Sequence, residues 1–222
     1  MATFLVTGAS RGIGLEFVRQ LKSRGDLAIA VCRKPTPELK EVLGDQAPLI
    51  ADVTDAAAIG RLAGSLDAVD VLINNAGVSS KAKSIGEVTA EDLQSTFLVN
   101  ATSPMLVAQA ALPSLRKGQR KTIVNISSML GSITQNNGGW GYGYRASKSA
   151  LNMLSVSLAH ELKPEGFTVL ALHPGWVQTD MGGPEAPMSV QQSVKFMLGV
   201  IDKAGPGQTG RFLNYDGQPM PW

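Results

Sequence analysis

The stretch TFLVTGASRGIGLEFVRQLKSRG, residues Thr3 to Gly25, decides the fold that we predict for this chain. It opens with a short apolar run, Thr3–Thr7, which is typical of a buried strand. A glycine-rich turn follows, and apolar residues then recur at helical spacing until Gly25, a residue type that commonly ends helices. A strand, a glycine turn and a helix in this order present backbone N–H groups and a helix dipole to a pyrophosphate. A tight strand-to-helix connection without a ligand is the alternative interpretation.

Strand-like and helix-like segments alternate along the rest of the chain. This alternation implies right-handed βαβ crossovers, so we predict an α/β fold: a single Rossmann-type doubly wound parallel sheet of about seven strands with helices on both faces. The further predicted strands are Leu27–Cys32, Ala47–Ala51, Val69–Ile73, Lys121–Ser127, Phe167–Leu172 and Gly210–Asn214. The further predicted helices are a short one within Pro35–Gly44, Asp55–Leu66, Thr89–Leu115 with a disturbance at Pro104, one that carries Tyr144 and ends at Leu162, and Ser189–Lys203. No linker or repeat interrupts the pattern, so residues 1–222 are interpreted as one domain.

The composition favours an ordinary globular protein. Hydrophobic residues make up 44% of the chain and charged residues 17%, and the net charge of +2 gives no electrostatic case for nucleic acid or a membrane surface as a partner. The single cysteine, Cys32, excludes an intrachain disulfide and fits a reducing compartment. No stretch approaches the ~20 apolar residues of a membrane helix, and the first ten residues lack the features of a signal peptide. We therefore expect a cytoplasmic location.

Two arginines near the predicted glycine turn bear on the cofactor. Many sites for NAD carry an acidic residue at the end of the second strand, where it binds the ribose 2′-hydroxyl. This chain has Cys32, Arg33 and Lys34 there, and Arg11 within the glycine turn. Cationic side chains attract a 2′-phosphate, so the pattern favours NADP(H) over NAD(H). Solvated loop charges are the alternative.

Polar residues follow the third and fourth predicted strands. Asp52 could accept a hydrogen bond from an adenine amino group, or it could cap the helix that follows at Thr54. Asn74 and Asn75 are placed to hydrogen-bond backbone groups and to fix the sheet edge, although a plain turn would have the same residue types.

The segment Tyr142–Ala159 contains the most reactive pair of residue types. Tyr144 and Lys148 lie one helical turn apart on one face. A nearby ammonium lowers the pKa of tyrosine from about 10, which would let the hydroxyl exchange protons near neutral pH. Two ordinary exposed helix residues are the alternative. Ser127 and Ser128 end the fifth predicted strand, where a serine could donate a hydrogen bond to a carbonyl oxygen.

Five motifs together resemble the short-chain dehydrogenase/reductase superfamily: TGASRGIG at Thr7–Gly14, NNAG at Asn74–Gly77, ISS at Ile126–Ser128, YRASK at Tyr144–Lys148 and PGWVQT at Pro174–Thr179. Longer segments, such as GSITQNNGGWGYGYRASKSALN, are similar to its sniffer carbonyl reductase and C-factor branch. The resemblance implies a catalytic set of Ser128, Tyr144, Lys148 and Asn100. Ser127 remains a second candidate, because Ser128 is farther from Tyr144 than the corresponding serine is in many members.

The same resemblance implies which residues bind the cofactor. They are Gly8, Ser10, Arg11, Gly12, Ile13, Gly14, Arg33, Asp52, Val53, Asn75, Ala76, Gly77, Tyr144, Lys148, Pro174, Gly175, Val177 and Thr179. No metal site is expected. His173 and His160 are interpreted as structural. The short segment Met181–Pro187 corresponds to the substrate loop of the family, so we expect an open pocket walled by Trp140, Trp176 and Met181, with core packing as the alternative for the tryptophans.

The implied activity is reduction of a ketone or aldehyde with hydride from NADPH, with a small carbonyl or alcohol as the substrate. The family often pairs subunits through the helices near Asn100 and Tyr144, so a homodimer or homotetramer is expected. An NADP(H)-binding signalling protein of C-factor type is the alternative function. An epimerase or dehydratase would need a larger substrate region.

Overall fold

A computed structural model describes residues 1–222 and contains one parallel sheet. Its strands are β1 Thr3–Thr7, β2 Leu27–Cys32, β3 Leu49–Ile50, β4 Val71–Asn74, β5 Thr122–Ile126, β6 Thr168–His173 and β7 Arg211–Asn214. They lie in the order β3-β2-β1-β4-β5-β6-β7, and every neighbouring pair is parallel. The predicted seven-stranded α/β sheet is therefore confirmed. Successive crossovers run in opposite directions on either side of β1, and this reversal opens a crevice at the carboxyl ends of β1 and β4.

Seven helices surround the sheet, and six of them cover its two faces. They are α1 Gly12–Ser23, α2 Pro37–Leu43, α3 Ala56–Gly64, α4 Ala90–Phe97, α5 Ser103–Lys117, α6 Tyr142–Leu162 and α7 Val190–Lys203. The residues of β1 show why two layers form, because side chains alternate across a strand. Phe4 belongs to the core cluster that α1, α2 and α7 cover, and Leu5 belongs to the cluster that α3, α5 and α6 cover. No helix has the length and apolar character needed to cross a membrane.

Two elements differ from the sequence-based expectation. Strand β3 spans two residues rather than five, since it is an edge strand that pairs only with the end of β2. The helix expected over Thr89–Leu115 is divided by a π-helical segment, Leu98–Thr102, between α4 and α5. Pro104 has no N–H to donate to the carbonyl of Asn100, four residues earlier, so regular helical bonding fails at this point. Such π-helical segments often accompany functional sites.

Candidate active site

The glycine turn after β1 packs backbone against backbone. Gly8 has a φ of +67°, and a Cβ there would lie 2.8 Å from the Cα of Ala76. A Cβ on Gly14 would lie 2.3 Å from the carbonyl oxygen of Gly8. Helix α1 begins at Gly12, and no side chain caps its first N–H groups. The turn therefore forms a narrow cradle with free donors at a helix N-terminus, which suits an anionic phosphate group.

Asparagine side chains join the strands at this edge. The Asn75 amide donates to the carbonyl oxygens of Thr7 (3.0 Å) and Gly8 (3.3 Å), while the Thr7 hydroxyl accepts from the backbone N–H groups of Asn75 (3.0 Å) and Ala76 (3.1 Å). Asn74 donates to the side chain of Asn125 at 2.9 Å. The expectation that these asparagines fix the sheet edge is confirmed. Sequence reasoning did not assign polar contacts to Thr7 or Asn125, although Thr7 begins the motif TGASRGIG.

Tyr144 and Lys148 lie on one face of α6, beside the end of β5. The Lys148 Nζ is 5.8 Å from the centre of the Tyr144 ring and donates a 2.8 Å hydrogen bond to the carbonyl oxygen of Ile126. Only 4% of Lys148 is exposed, and this burial lowers its pKa to about 8. Lys148 is buried and hydrogen-bonded next to the Tyr144 ring. The interpretation of Tyr144 and Lys148 as two ordinary exposed helix residues is therefore wrong.

The pKa of Tyr144 moves in the direction opposite to the one expected from the sequence. Burial raises the pKa of the Tyr144 hydroxyl, and the neighbouring Ser128 hydroxyl acts in the opposite direction without overcoming it. The Lys148 ammonium is directed to the carbonyl of Ile126 rather than to the phenol oxygen. Desolvation sets the direction of the shift, so the lowering of the Tyr144 pKa expected from Lys148 is wrong for the chain by itself.

The two serines after β5 have different surroundings. The Ser127 hydroxyl donates to the Asn152 side chain at 2.6 Å, within the packing between the sheet and α6. The Ser128 hydroxyl accepts from the backbone N–H of Leu130 at 3.1 Å and begins a short helical turn, Met129–Gly131. Ser128 thus keeps its own proton available for another acceptor, whereas Ser127 does not. This geometry favours Ser128 over Ser127 as the hydrogen-bond donor near Tyr144.

Asn100 lies in the π-helical segment and is completely buried. Its carboxamide oxygen accepts from the Val78 N–H at 2.9 Å, and its amide donates to the Val78 carbonyl (2.9 Å) and to the Ser147 hydroxyl (3.0 Å). A Cβ on Gly77 would lie 3.4 Å from the Asn100 oxygen and 3.8 Å from the Lys148 Nζ. Asn100 therefore joins the loop after β4 to α6 close to Lys148. Ser147 is a further member of this group that sequence reasoning missed.

The turn after β6 is anchored to its surroundings. The Pro174 carbonyl accepts from the Ser193 hydroxyl at 2.6 Å, and Gly175 packs against the Tyr215 ring with a φ of +87°. Val177 is buried and pairs with Met188, and the Thr179 hydroxyl accepts from the Gly182 N–H at 3.0 Å. This turn stands at the carboxyl end of β6, so it belongs to the same edge of the sheet as the glycine turn.

The two candidate cations for a 2′-phosphate differ in their surroundings. Arg11 forms a 2.6 Å ion pair with Asp180, so its charge is shared with the segment after Thr179. Arg33 is exposed at the end of β2, forms no ion pair, and adds a small electrostatic contribution to the low pKa of Asp52. Arg33 is therefore the cation better placed to meet an incoming anion.

Asp52 has a structural role in the turn after β3. Its carboxylate accepts hydrogen bonds from the backbone N–H (2.9 Å) and the hydroxyl (2.8 Å) of Thr54, and the backbone bond is the main cause of its lowered pKa. Asp55, not Asp52, caps α3, since it accepts from Ala57 at 2.8 Å. The interpretation of Asp52 as the helix cap is therefore wrong, because the helix begins later than expected, at Ala56.

The remaining predicted site residues lie around this edge. The carbonyl of Ser10 accepts from the Thr36 hydroxyl at 2.8 Å, and Ile13 and Val53 pack against the two cores. Trp176 is 57% exposed and Trp140 is 53% exposed. Neither tryptophan packs in the core, so the core-packing interpretation of both is wrong.

The two histidines offer no proton-transfer partner. Burial lowers the pKa of His173 to about 4, and its Nδ1 has no hydrogen-bond partner, so the ring is neutral at pH 7. His160 lies exposed on α6. This arrangement supports the structural interpretation of His173 but not that of the exposed His160.

Comparison with known proteins agrees with this geometry. A family model for short chain dehydrogenases matches residues 2–189. The C-signal protein of Myxococcus xanthus is 49% identical over 154 residues, which span 69% of this chain and 93% of that protein. The carbonyl reductase Sniffer of D. melanogaster superposes with a TM-score of 0.94 at 36% identity over the whole of both chains. The NADPH-bound carbonyl reductase from chicken fatty liver superposes with a TM-score of 0.92 at 35% identity, over 100% of this chain and 99% of that one. The chain belongs to the short-chain dehydrogenase family and is an oxidoreductase.

Proposed function

We propose that this protein reduces a ketone or an aldehyde to the alcohol with hydride from NADPH. The observation that carries the proposal is the grouping of Tyr144 with the buried Lys148 and Ser128 at the sheet edge that also holds the glycine cradle. NADPH supplies the hydride when it is bound, and the protein supplies binding, orientation and the proton. Sniffer and the chicken enzyme, both carbonyl reductases by name, support this choice of reaction.

The cradle fits a dinucleotide with a 2′-phosphate. Its close backbone contacts leave no room for a side chain at Gly8 or Gly14, and without side chains the backbone N–H groups of the turn can approach a phosphate group closely. The uncapped start of α1 would bind the pyrophosphate, and the unpaired Arg33 would bind the 2′-phosphate. Lys148 and the Pro174–Thr179 turn would hold the nicotinamide end. The NADPH in the chicken structure supports NADP(H) as the cofactor.

The raised pKa of Tyr144 suits a proton donor. A phenol with a high pKa stays protonated at pH 7, so Tyr144 carries the proton that the carbonyl oxygen needs when it becomes an alkoxide. Lys148, with a pKa of about 8, is largely an ammonium at pH 7 and stabilises the phenolate that remains. Ser128 donates a hydrogen bond to the same oxygen. One hydride and one proton are thus added across the carbonyl bond, and Asn100 holds the adjoining loop against α6.

The variant Tyr144→Phe tests this mechanism, with Tyr215→Phe as the matched control. Both changes remove one phenol hydroxyl and keep the ring, but Tyr215 follows β7 and lies outside the group of Tyr144, Lys148 and Ser128. We expect Tyr144→Phe to lower kcat at least about a hundredfold with little change in the Kd for NADPH, since general acid catalysis contributes that much or more. Turnover is followed by NADPH absorbance with quinones, diketones and aldehydes. Parental rates in Tyr144→Phe would refute the proposal.

A signalling function is the second candidate, and the 49% identity with C-signal favours it. In that case, the chain would bind NADPH tightly and turn over none of the carbonyl compounds in the panel. The alignment leaves about a third of this chain unmatched, whereas the carbonyl reductase Sniffer corresponds over the full length. The reductase is therefore our first proposal.

Three expectations stay predictions from the sequence: one domain, a cytoplasmic location, and subunit pairing through the helices near Asn100 and Tyr144. Static light scattering at several concentrations tests the pairing. A stable monomer would contradict it.

A further inference from the structure

A cavity of about 240 Å³ lies between α6 and the loop that precedes it. One wall is a face of the helix, and the other is the loop after Ser128. Ile133, Trp140, Tyr142, Arg145 and Ala146 are among the residues that line it. Tyr142, Arg145 and Ala146 recur at helical spacing, so they share a face of α6. Ser128, Tyr144 and Lys148 do not line this cavity, which is therefore separate from the catalytic group proposed above.

Arg145 is the one charged side chain among the lining residues. Its Nε donates to the Trp140 carbonyl at 2.8 Å, and its guanidinium carbon lies 4.8 Å from the centre of the Trp140 ring. These contacts fix the orientation of the guanidinium group. No carboxylate forms an ion pair with Arg145, and its two terminal nitrogens donate to no acceptor of the protein. A planar, preoriented guanidinium with free donors matches the geometry of a carboxylate.

Most of the remaining surface of the cavity is apolar and uncovered, although Ser132, Asn136 and Ser149 also line it. Ile133 is 77% exposed and Trp140 is 53% exposed, and Ala146 adds apolar surface from the helix. Aromatic and apolar side chains around one fixed polar group are typical of small-molecule sites. The volume lies below the roughly 300 Å³ at which sites for drug-sized molecules begin, so a small ligand fits best.

We propose that this cavity binds a small aromatic carboxylate, with its charge on Arg145 and its ring against Trp140 and Ile133. Two kinds of molecule could carry this carboxylate. It is either the acid group of the carbonyl substrate itself or the acid group of a separate molecule. The proposal concerns binding, so it stands or falls independently of the reductase activity.

Isothermal titration with 4-isopropylbenzoate and the neutral 4-isopropylbenzamide tests the proposal. The two probes share shape and differ in charge. We expect the benzoate to bind about tenfold tighter, since a hydrogen bond to a charged group contributes more than a neutral one. Arg145→Met should abolish this difference and Arg145→Lys should keep part of it. The control Arg61→Met removes an equal charge from an exposed site on α3, and it should leave the difference in affinity between the two probes unchanged.

The comparison of the two probes on the parent chain decides the matter even if Arg145→Met unfolds. Equal affinity for benzoate and benzamide, or no binding of either at millimolar concentration, would overturn the proposal. A preference for benzoate that survives in a folded Arg145→Met would also overturn it. Once binding is established, inhibition kinetics distinguish the sources: competition with the carbonyl substrate assigns the carboxylate to the substrate, and noncompetitive behaviour assigns it to a separate acid.

Discussion

Lys148 holds an ammonium group in the interior of the protein, and removing that charge should stabilise the fold while it stops the reaction. Burial lowers the pKa of Lys148 from 10.5 to about 8, which corresponds to about 3 kcal/mol by which the folded state disfavours the charged form. The change Lys148→Met removes this penalty and keeps most of the side-chain volume. It also leaves the Ile126 carbonyl without a 2.8 Å donor, which costs about 1 kcal/mol. We therefore expect a net gain of about 2 kcal/mol at pH 7.

Urea unfolding measures this gain, and thermal unfolding should show a rise of about 6 °C for a chain of this size. The control is Lys195→Met, because Lys195 is an exposed lysine within α7 that forms no ion pair. It should change the free energy of unfolding by less than about 0.5 kcal/mol. NADPH-dependent turnover should be lost in Lys148→Met and kept in Lys195→Met.

The pH dependence provides a second test of the same reasoning. Between the folded pKa of about 8 and the unfolded value of 10.5, the unfolded chain binds more protons at Lys148 than the folded chain does. Stability due to this group therefore rises with pH in that window, and the parent should gain about 1 kcal/mol relative to Lys148→Met between pH 7 and pH 9. A Lys148→Met protein that is less stable than the parent at pH 7, or that shows the parental pH dependence, would refute the argument.

Two further predictions concern the cofactor cradle. Gly14→Ala should lower the free energy of unfolding by about 2 kcal/mol in urea titrations, because the new Cβ would lie 2.3 Å from the Gly8 carbonyl oxygen. Gly60→Ala, in open space on α3, should instead raise it by up to about 1 kcal/mol, and equal midpoints for the two variants would contradict the close packing. Arg33→Ala should weaken NADPH binding about tenfold and leave NADH binding nearly unchanged in fluorescence titrations, since only NADPH carries the 2′-phosphate. An equal loss for both nucleotides would show that Arg33 does not bind that phosphate.

The sequence by itself determined the sheet, its helices and the location of the candidate site. These features follow from local signals: apolar runs predict strands, helical spacing predicts α1 and α6, and glycines at Gly8 and Gly14 indicate a turn that excludes side chains. Tyr144 and Lys148 share a face of a helix because of their spacing alone. The length of β3 was predicted less well, because the length of an edge strand depends on how many of its residues pair with β2 rather than on the residues themselves.

Only the tertiary structure decided how the individual groups are engaged. Ser127 is bound by Asn152, Arg11 is paired with Asp180, and both partners are far away in sequence. The pKa of Tyr144 rises rather than falls, because the surrounding chain desolvates its hydroxyl more strongly than the Ser128 hydroxyl favours its charged form. Burial, hydrogen bonding and charge at a site are sums over neighbours that folding brings together, so spacing along the chain cannot supply them.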